Sequence, residues 1–165
     1  MAEDLDAIDA RILDLIQQDA SLSVADVAEQ VGLSPSPCWR RIKRMEDAGV
    51  IRKRVTLLNG AQLGLDFEVY AIVKLTLPTR ENLNAFEAAV AEWNEVIHCA
   101  TITGREDYVL RILTSDIHAF DAFLRDKLLA LGLVSDVESH IVVRGVKDTT
   151  ELPLNLVSPH VEPRR

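Results

Sequence analysis

The spacing of apolar residues changes period once along this chain, near Asn59-Gly60-Ala61-Gln62-Leu63-Gly64, and no other feature restricts the fold as much. Before that point apolar side chains recur every three or four residues, as on one face of a helix. After it, alternating runs are separated by helical stretches. The pattern predicts an α+β protein of two units, helical first and mixed second. A length of 165 residues accommodates two small domains, and a hydrophobic fraction of 48% supplies the apolar surface that ordering requires. No run approaches the roughly 18 apolar residues of a membrane span. The acidic start Met1-Ala2-Glu3-Asp4 lacks the basic and apolar regions of a signal peptide, which points to the cytoplasm. Cys38 and Cys99 do not form a disulfide framework, and His98, His118, His140 and His160 lack short metal-ligand spacing, so neither metal nor cofactor is expected.

In the first unit Leu5, Ile8, Ile12, Leu15 and Ile16 make one helical stripe, with Asp6 placed as N-cap and Asp9 three residues on. A second helix starts after Ser23 and runs through Val24, Val27, Ala28 and Val31 to Gly32, a helix-ending residue. Ser34-Pro35-Ser36-Pro37 opens a third. On that helix Cys38, Ile42 and Met45 share one face, Ser36, Arg40, Lys43 and Arg44 the opposite one, and Trp39 the flank. Ala48-Gly49 closes it, and residues 50–58 alternate as a strand. A short helix, a glycine turn and a basic second helix form a helix-turn-helix, with Arg52-Lys53-Arg54 as a wing.

Charge supports that reading. The chain carries −8 overall, yet residues 39–54 hold seven cations against two anions, a net of +5, which leaves −13 on the other 149 residues. Phosphates respond to the local field, within a Debye length of about 8–10 Å, so an acidic body does not prevent a basic block from binding DNA. Ser34 and Ser36 are expected to meet a phosphate at the helix start, and Arg40 and Lys43 to reach base edges. Arg44, Arg52 and Arg54 are expected on phosphates, Trp39 either packed or on the DNA backbone, and Cys38 in the core.

The second unit repeats strand-helix-strand. Residues 67–77 alternate with Phe67, Val69, Ala71, Val73, Leu75 and Leu77 on one side; Leu83, Phe86, Ala89, Val90 and Trp93 form a helical stripe; residues 96–102 are a strand. Residues 108–113, a stripe of Ile117, Phe120, Leu124, Leu128 and Leu131 capped by Ser115 or Asp116, and residues 137–143 repeat the unit. This predicts a ferredoxin-like βαββαβ sandwich with a hairpin across Thr103-Gly104-Arg105-Glu106-Asp107. Two helices cover one sheet face only. Tyr70, Ile72, Val109 and Val142 on the other face ask for a partner sheet, and a homodimer suits a palindromic DNA site. The expected divisions are 1–58 for the winged helix-turn-helix, 59–66 for the linker, 67–147 for the sandwich and 148–165 for an extended tail holding Pro153, Pro159 and Pro163.

Leu5-Asp6-Ala7-Ile8-Asp9-Ala10-Arg11-Ile12-Leu13, Val31-Gly32-Leu33-Ser34-Pro35-Ser36-Pro37-Cys38 and the segment from Arg41 through Ile51 resemble the Lrp/AsnC, or feast/famine, transcriptional regulators over nearly the whole chain. The resemblance implies a DNA-binding regulator with an effector-sensing RAM domain (the αβ-sandwich), dimers that assemble to octamers, and an amino-acid effector bound between dimers near the hairpin. Carried over, the effector residues are Thr101, Thr103, Gly104, Asp107, Tyr108 and Ser139, with Asp107 suited to an α-ammonium and amides around Gly104 to an α-carboxylate. Gly104 and Asp107 would equally suit any tight hairpin. Gly60 departs from the family, many of whose members have proline after Asn59, and implies a more flexible linker. Pro37-Cys38-Trp39-Arg40-Arg41 with Thr149-Thr150-Glu151-Leu152-Pro153-Leu154 resembles the branch controlling cysteine detoxification, which suggests cysteine as effector; leucine or another branched-chain amino acid is the alternative. Two other classes compete: an enzyme using Glu106, Asp107, His98 and His140, and an amino-acid sensor that binds no DNA. No nucleophile motif, phosphate loop or metal spacing supports the first, and the +5 block argues against the second.

Overall fold

A computed structural model describes residues 5–156. The acidic start and the tail prolines Pro159 and Pro163 lie outside the described residues. The described residues separate into two compact units, one holding residues 5–57 together with 147–156, the other running from Leu58 to Val146. No described helix is long and apolar enough to cross a membrane.

In the first unit α1 (Ala7–Gln18), α2 (Val24–Val31) and α3 (Pro35–Asp47) begin where the capping residues place them. Asp6 and Asp9 cap α1 reciprocally, and Ser23 and Asp26 do the same for α2. Ile12, Val27, Ala28, Val31, Cys38, Ile42 and Met45 are buried together, each from the stripe assigned to it. Two expectations change. Residues 50–58 form no strand: alternation specifies two faces, but a strand also needs a partner for its backbone. Val55, Leu57 and Leu58 remain exposed there. The tail is also not simply extended. Gln17 exchanges two hydrogen bonds with the Leu152 backbone, donating to its carbonyl at 3.2 Å and accepting from its amide at 3.0 Å. Leu154 packs against the helical core.

The second unit is the expected sandwich. β1 (Phe67–Leu75), α4 (Arg80–Ala91), β2 (Val96–Thr101), β3 (Tyr108–Thr114), α5 (Ile117–Phe123) and β4 (Val134–Ile141) give one antiparallel sheet of order β2-β3-β1-β4. β1 ends two residues early, so Leu77 is exposed, and β4 begins three residues before its expected start. Val69, Ala71, Val73 and Leu75 from β1 and Tyr108, Leu110 and Ile112 from β3 point to the helices, where Phe86, Val90, Phe120, Phe123 and Leu128 bury them. After α5 the helix widens into a π-type turn over Leu124–Leu129, which keeps Leu128 fully buried while Ile117, expected on the apolar stripe, is exposed.

Gly60 is held by close approach rather than flexibility. Its carbonyl accepts the amides of Leu63 and Leu65, both at 2.9 Å. A Cβ on Gly60 would stand 2.6 Å from the Leu65 carbonyl oxygen, a clash of backbone with no flexible group to yield.

Candidate functional site

The outer surface of α3 follows from its sequence period. Cys38, Ile42 and Met45 turn inward, which leaves Ser36, Trp39, Arg40, Lys43 and Arg44 exposed on the other sides. Trp39 is 54% exposed, an expensive position for an indole in water and one that fits a contact surface. A concave patch of about 360 Å³ on the same helix is lined by Pro37, Arg40, Arg41 and Arg44. Burial pushes the Cys38 thiol above its ordinary pKa, and only then does the Arg41 charge act against that, so the thiol stays protonated and unreactive in the core.

The helix start is less open to an anion than its two serines suggest. Ser34 is the N-cap in extended geometry and its side chain makes no capping bond. Pro35 and Pro37 carry no amide hydrogen. Of the first three helical residues only Ser36 has one, so two hydroxyls and one amide are what this end offers a phosphate.

The cations do not all face solvent alike. Arg41 bridges Asp6 at 2.7 Å and Asp9 at 2.9 Å, and Arg44 is also paired to Asp9. Lys43 pairs with Asp47 one turn on, at 2.8 Å, which holds its ammonium more firmly protonated. In the segment after α3, Arg54 reaches Glu46 at 3.4 Å, and Arg52 and Lys53 are exposed. Residue types along α3 do not disclose that Arg44 is engaged by the protein's own carboxylate.

The second candidate site lies at the β2–β3 turn. Gly104 has φ +137°, a conformation side chains other than glycine's rarely adopt. Asp107 is built into the sheet end: its amide donates to Val73 O at 2.9 Å, its carbonyl accepts from Ile102 at 3.0 Å, and its carboxylate accepts the Leu75 amide at 2.8 Å. Thr101, Thr103 and Gly104 are exposed beside it. Tyr108 is buried under α4 and donates its hydroxyl to Glu87 at 2.9 Å. Burial and the Glu87 acceptor raise its phenol well above the ordinary range, which leaves its backbone rather than its ring available to a ligand.

Ser139 is not gathered with this group. It pairs with Ala71 on β4, whereas Thr101 pairs with Tyr108 on β2, the opposite edge of the sheet. Three inter-strand steps separate the edges by roughly 14 Å. The six residues therefore make two clusters in one chain.

The uncovered sheet face is more polar than its alternation suggests. The pairing aligns His98, Arg111, Tyr70 and His140 in one row across all four strands, with Ala100, Val109, Ile72 and Glu138 in the next. Arg111 and Glu68 form an ion pair at 2.7 Å on this face. Apolar side chains flanked by charge are what a hydrated but specific protein interface contains.

Residues 68–152 match the family described as the Lrp/AsnC ligand binding domain, and residues 5–52 match a winged helix-turn-helix DNA-binding family. The chain is 35% identical to the DNA-binding transcriptional activator DecR of Escherichia coli K12 over 91% of this chain and 99% of that protein. It is also 35% identical to the leucine-responsive regulatory protein of Rhizobium meliloti, over 92% of this chain and 97% of that one. Among solved structures, a transcriptional regulator from Neisseria meningitidis in complex with L-methionine superposes with a TM-score of 0.90 at 37% identity, covering 93% of this chain and 99% of that one.

Proposed function

Since the chain belongs to the Lrp/AsnC family of DNA-binding transcriptional regulators with an amino-acid ligand-binding domain, and not to a family of enzymes, we propose how its own residues divide that work. α3 enters the major groove. Arg40 and Lys43 reach base edges, Ser34, Ser36 and Arg44 meet phosphates, Trp39 lies on the backbone, and Arg52 and Arg54 bind flanking phosphates. The observation that carries this reading is the sidedness of α3: Cys38, Ile42 and Met45 are buried while Ser36, Arg40 and Lys43 are exposed.

In this proposal the effector is an amino acid held at the turn by Thr101, Thr103, Gly104 and Asp107, with the Tyr108 backbone, and Ser139 comes from another copy. The separation of Ser139 from the turn within one chain favours a site between copies. The dimer forms through the sheet face carrying Tyr70, Ile72 and Val109, and dimers assemble to octamers. The divisions 1–58, 59–66 and 67–147 assign DNA binding, linkage and sensing. Binding to the chromosome puts the protein in the cytoplasm.

Cysteine is the proposed effector. The resemblance of residues 37–41 and 149–154 to the cysteine-detoxification branch supports it, and the methionine complex of the Neisseria relative supports a pocket for an unbranched sulfur-bearing side chain. Leucine is the second reading, supported by the Rhizobium relative's name.

The test is binding of the purified protein to its own upstream DNA and to a scrambled duplex, each amino acid added in turn. Specific binding that cysteine alone shifts supports the whole proposal. A leucine-only shift replaces the effector, and a salt-insensitive affinity between about 50 and 200 mM refutes the DNA contacts. Arg40→Ala should cost about 1–3 kcal/mol of specific binding and relax preference at particular base pairs. Unchanged base preference in that variant removes Arg40 from the base edge.

A further inference from the structure

We propose that Asp9 is a positioning residue for DNA reading: by clamping Arg41 and Arg44 to the first turn of α1, it withdraws Arg41 from DNA and leaves Arg40 and Lys43 as the outward pair on α3. The inference rests on α3 being the DNA-contacting helix.

Asp9 is the one fully buried acidic side chain among the described residues, at 1% exposure. A carboxyl group removed from water loses the donors that water supplied, and others must replace them. Three do so here: the Asp6 amide at 3.2 Å, Arg41 Nη1 at 2.9 Å and Arg44 Nη2. Asp6 completes the clamp. It accepts the amides of Ile8 and Asp9, at 2.9 and 2.8 Å, on one oxygen, and Arg41 Nη1, at 2.7 Å, on the other. Arg41 thus shares one nitrogen between two carboxylates. Hydrogen bonds from its guanidinium to Asp9 and then Asp6 hold it protonated more firmly than an ordinary arginine. For Asp6, burial acts to raise the pKa, but the Asp9 amide and Arg41 outweigh it and hold the carboxyl below its usual value. Asp6, Asp9, Arg41 and Arg44 are thus tied into one cluster at the first turn of α1.

The geometry sorts the cations of α3. Arg41 turns toward α1, and Arg44 shares the Asp9 carboxylate while its side chain stays half exposed, within reach of a phosphate; Arg40 and Lys43, spaced like that pair, are rotated by about one residue's 100°. An untethered arginine binds phosphate whatever the base sequence, so each one on a recognition helix raises non-specific affinity along with specific affinity. A buried carboxylate that occupies Arg41 removes one such contact and fixes the rotation of α3 through a bond at its middle.

The test measures the dependence of log affinity on log salt, and the ratio of affinities for the upstream and scrambled duplexes, on the full chain. Arg41→Gln should leave the salt slope at the parent value; loss of a true phosphate contact would shallow it by about 0.9. Asp9→Asn removes one of the two carboxylates that hold Arg41, so scrambled-duplex affinity should rise several-fold, the slope should steepen by about 0.9 as Arg41 gains a phosphate, and the specificity ratio should fall roughly tenfold. A merely structural Asp9 would lower both affinities by one factor, with ratio and slope unchanged, and that result overturns the proposal. A shallower slope in Arg41→Gln overturns it too, whatever Asp9→Asn does. If Asp9→Asn does not fold, Asp6→Asn removes the exposed half of the clamp and should move slope and ratio the same way by less. Unchanged values there overturn the proposal. A parent protein that prefers neither duplex fails the DNA reading itself, before any variant is made, and the clamp falls with it.

Discussion

Within the two units of this chain the helices are held by different forces. In the sensor unit the helices are placed by apolar contact: Phe86 lies 4.6 Å from Tyr108 between ring centroids and meets Trp93 edge-on at 6.4 Å, and Trp93 meets Phe123 edge-on at 5.4 Å. The DNA-binding unit has a smaller core, with no aromatic ring among that core's described residues, and charge does the orienting. Asp9 reaches from α1 to two arginines of α3, and both α1 and α2 start with reciprocal acidic caps. Apolar packing resists change in any direction, since filled space has no preferred axis. Ion pairs specify direction, and a recognition helix must hold its rotation to place side chains on base edges.

The largest expected effect lies on the apolar side of this contrast. Phe86 is fully buried and in contact with two other rings. Phe86→Ala should cost about 3–5 kcal/mol. Hydrogen exchange resolved along the chain should show the loss in the sensor unit, with protection of α1 to α3 retained. Equal loss of protection in the helices of the DNA-binding unit would break the separation of the two.

Much of this was legible in residue order, because local rules govern most of it. Caps at Asp6, Ser23 and Asp116, the buried stripe Cys38-Ile42-Met45 and the strand-helix-strand repeat each depend on neighbours within a few residues. What escaped depends on partners far along the chain. Asp9 was readable as a capping-box residue but not as a buried partner of α3, since Arg41 and Arg44 lie 32 and 35 residues away. The docking of Leu152 on Gln17 spans 135 residues in a proline-containing stretch that has no period to read. Residues 50–58 had the alternation of a strand and no partner. The division of the effector candidates into two clusters appears only once the order β2-β3-β1-β4 puts Thr101 and Ser139 on opposite edges.

Tyr108 sharpens the comparison from the alkaline side. Its phenol is raised in the folded state, so the neutral form stabilises the fold below the unfolded tyrosine value near 10, and that contribution is lost as pH climbs toward the folded one. The phenolate absorbance of Tyr108 should appear together with loss of sensor-unit structure rather than before it. Tyr108→Phe removes the bond to Glu87 and should cost about 1–2 kcal/mol at neutral pH. It should also remove this part of the alkaline sensitivity. An unaltered alkaline profile in that variant would assign the sensitivity to another group.

The smallest effect tests the charged side. Ser23 accepts the Asp26 amide at 3.2 Å and donates its own amide and hydroxyl to the Asp26 carboxylate at 3.0 and 2.6 Å. Those bonds, the hydroxyl's first, hold the Asp26 carboxyl below its ordinary pKa. A carboxylate so depressed stabilises the fold above its unfolded value, near 4, and loses that contribution as pH falls through the folded one. Ser23→Ala should therefore cost about 1 kcal/mol at neutral pH through the lost cap. It should also flatten the acid limb of stability, since Asp26 then keeps less of its preference for the charged form. Denaturant unfolding at pH 7 and near pH 3 measures both. A variant equally destabilised at the two pH values would show that the cap works through the serine alone, and acid sensitivity of the DNA-binding unit would then rest on its other depressed carboxyls, Asp6 beside Arg41 and Asp19 beside Ser21.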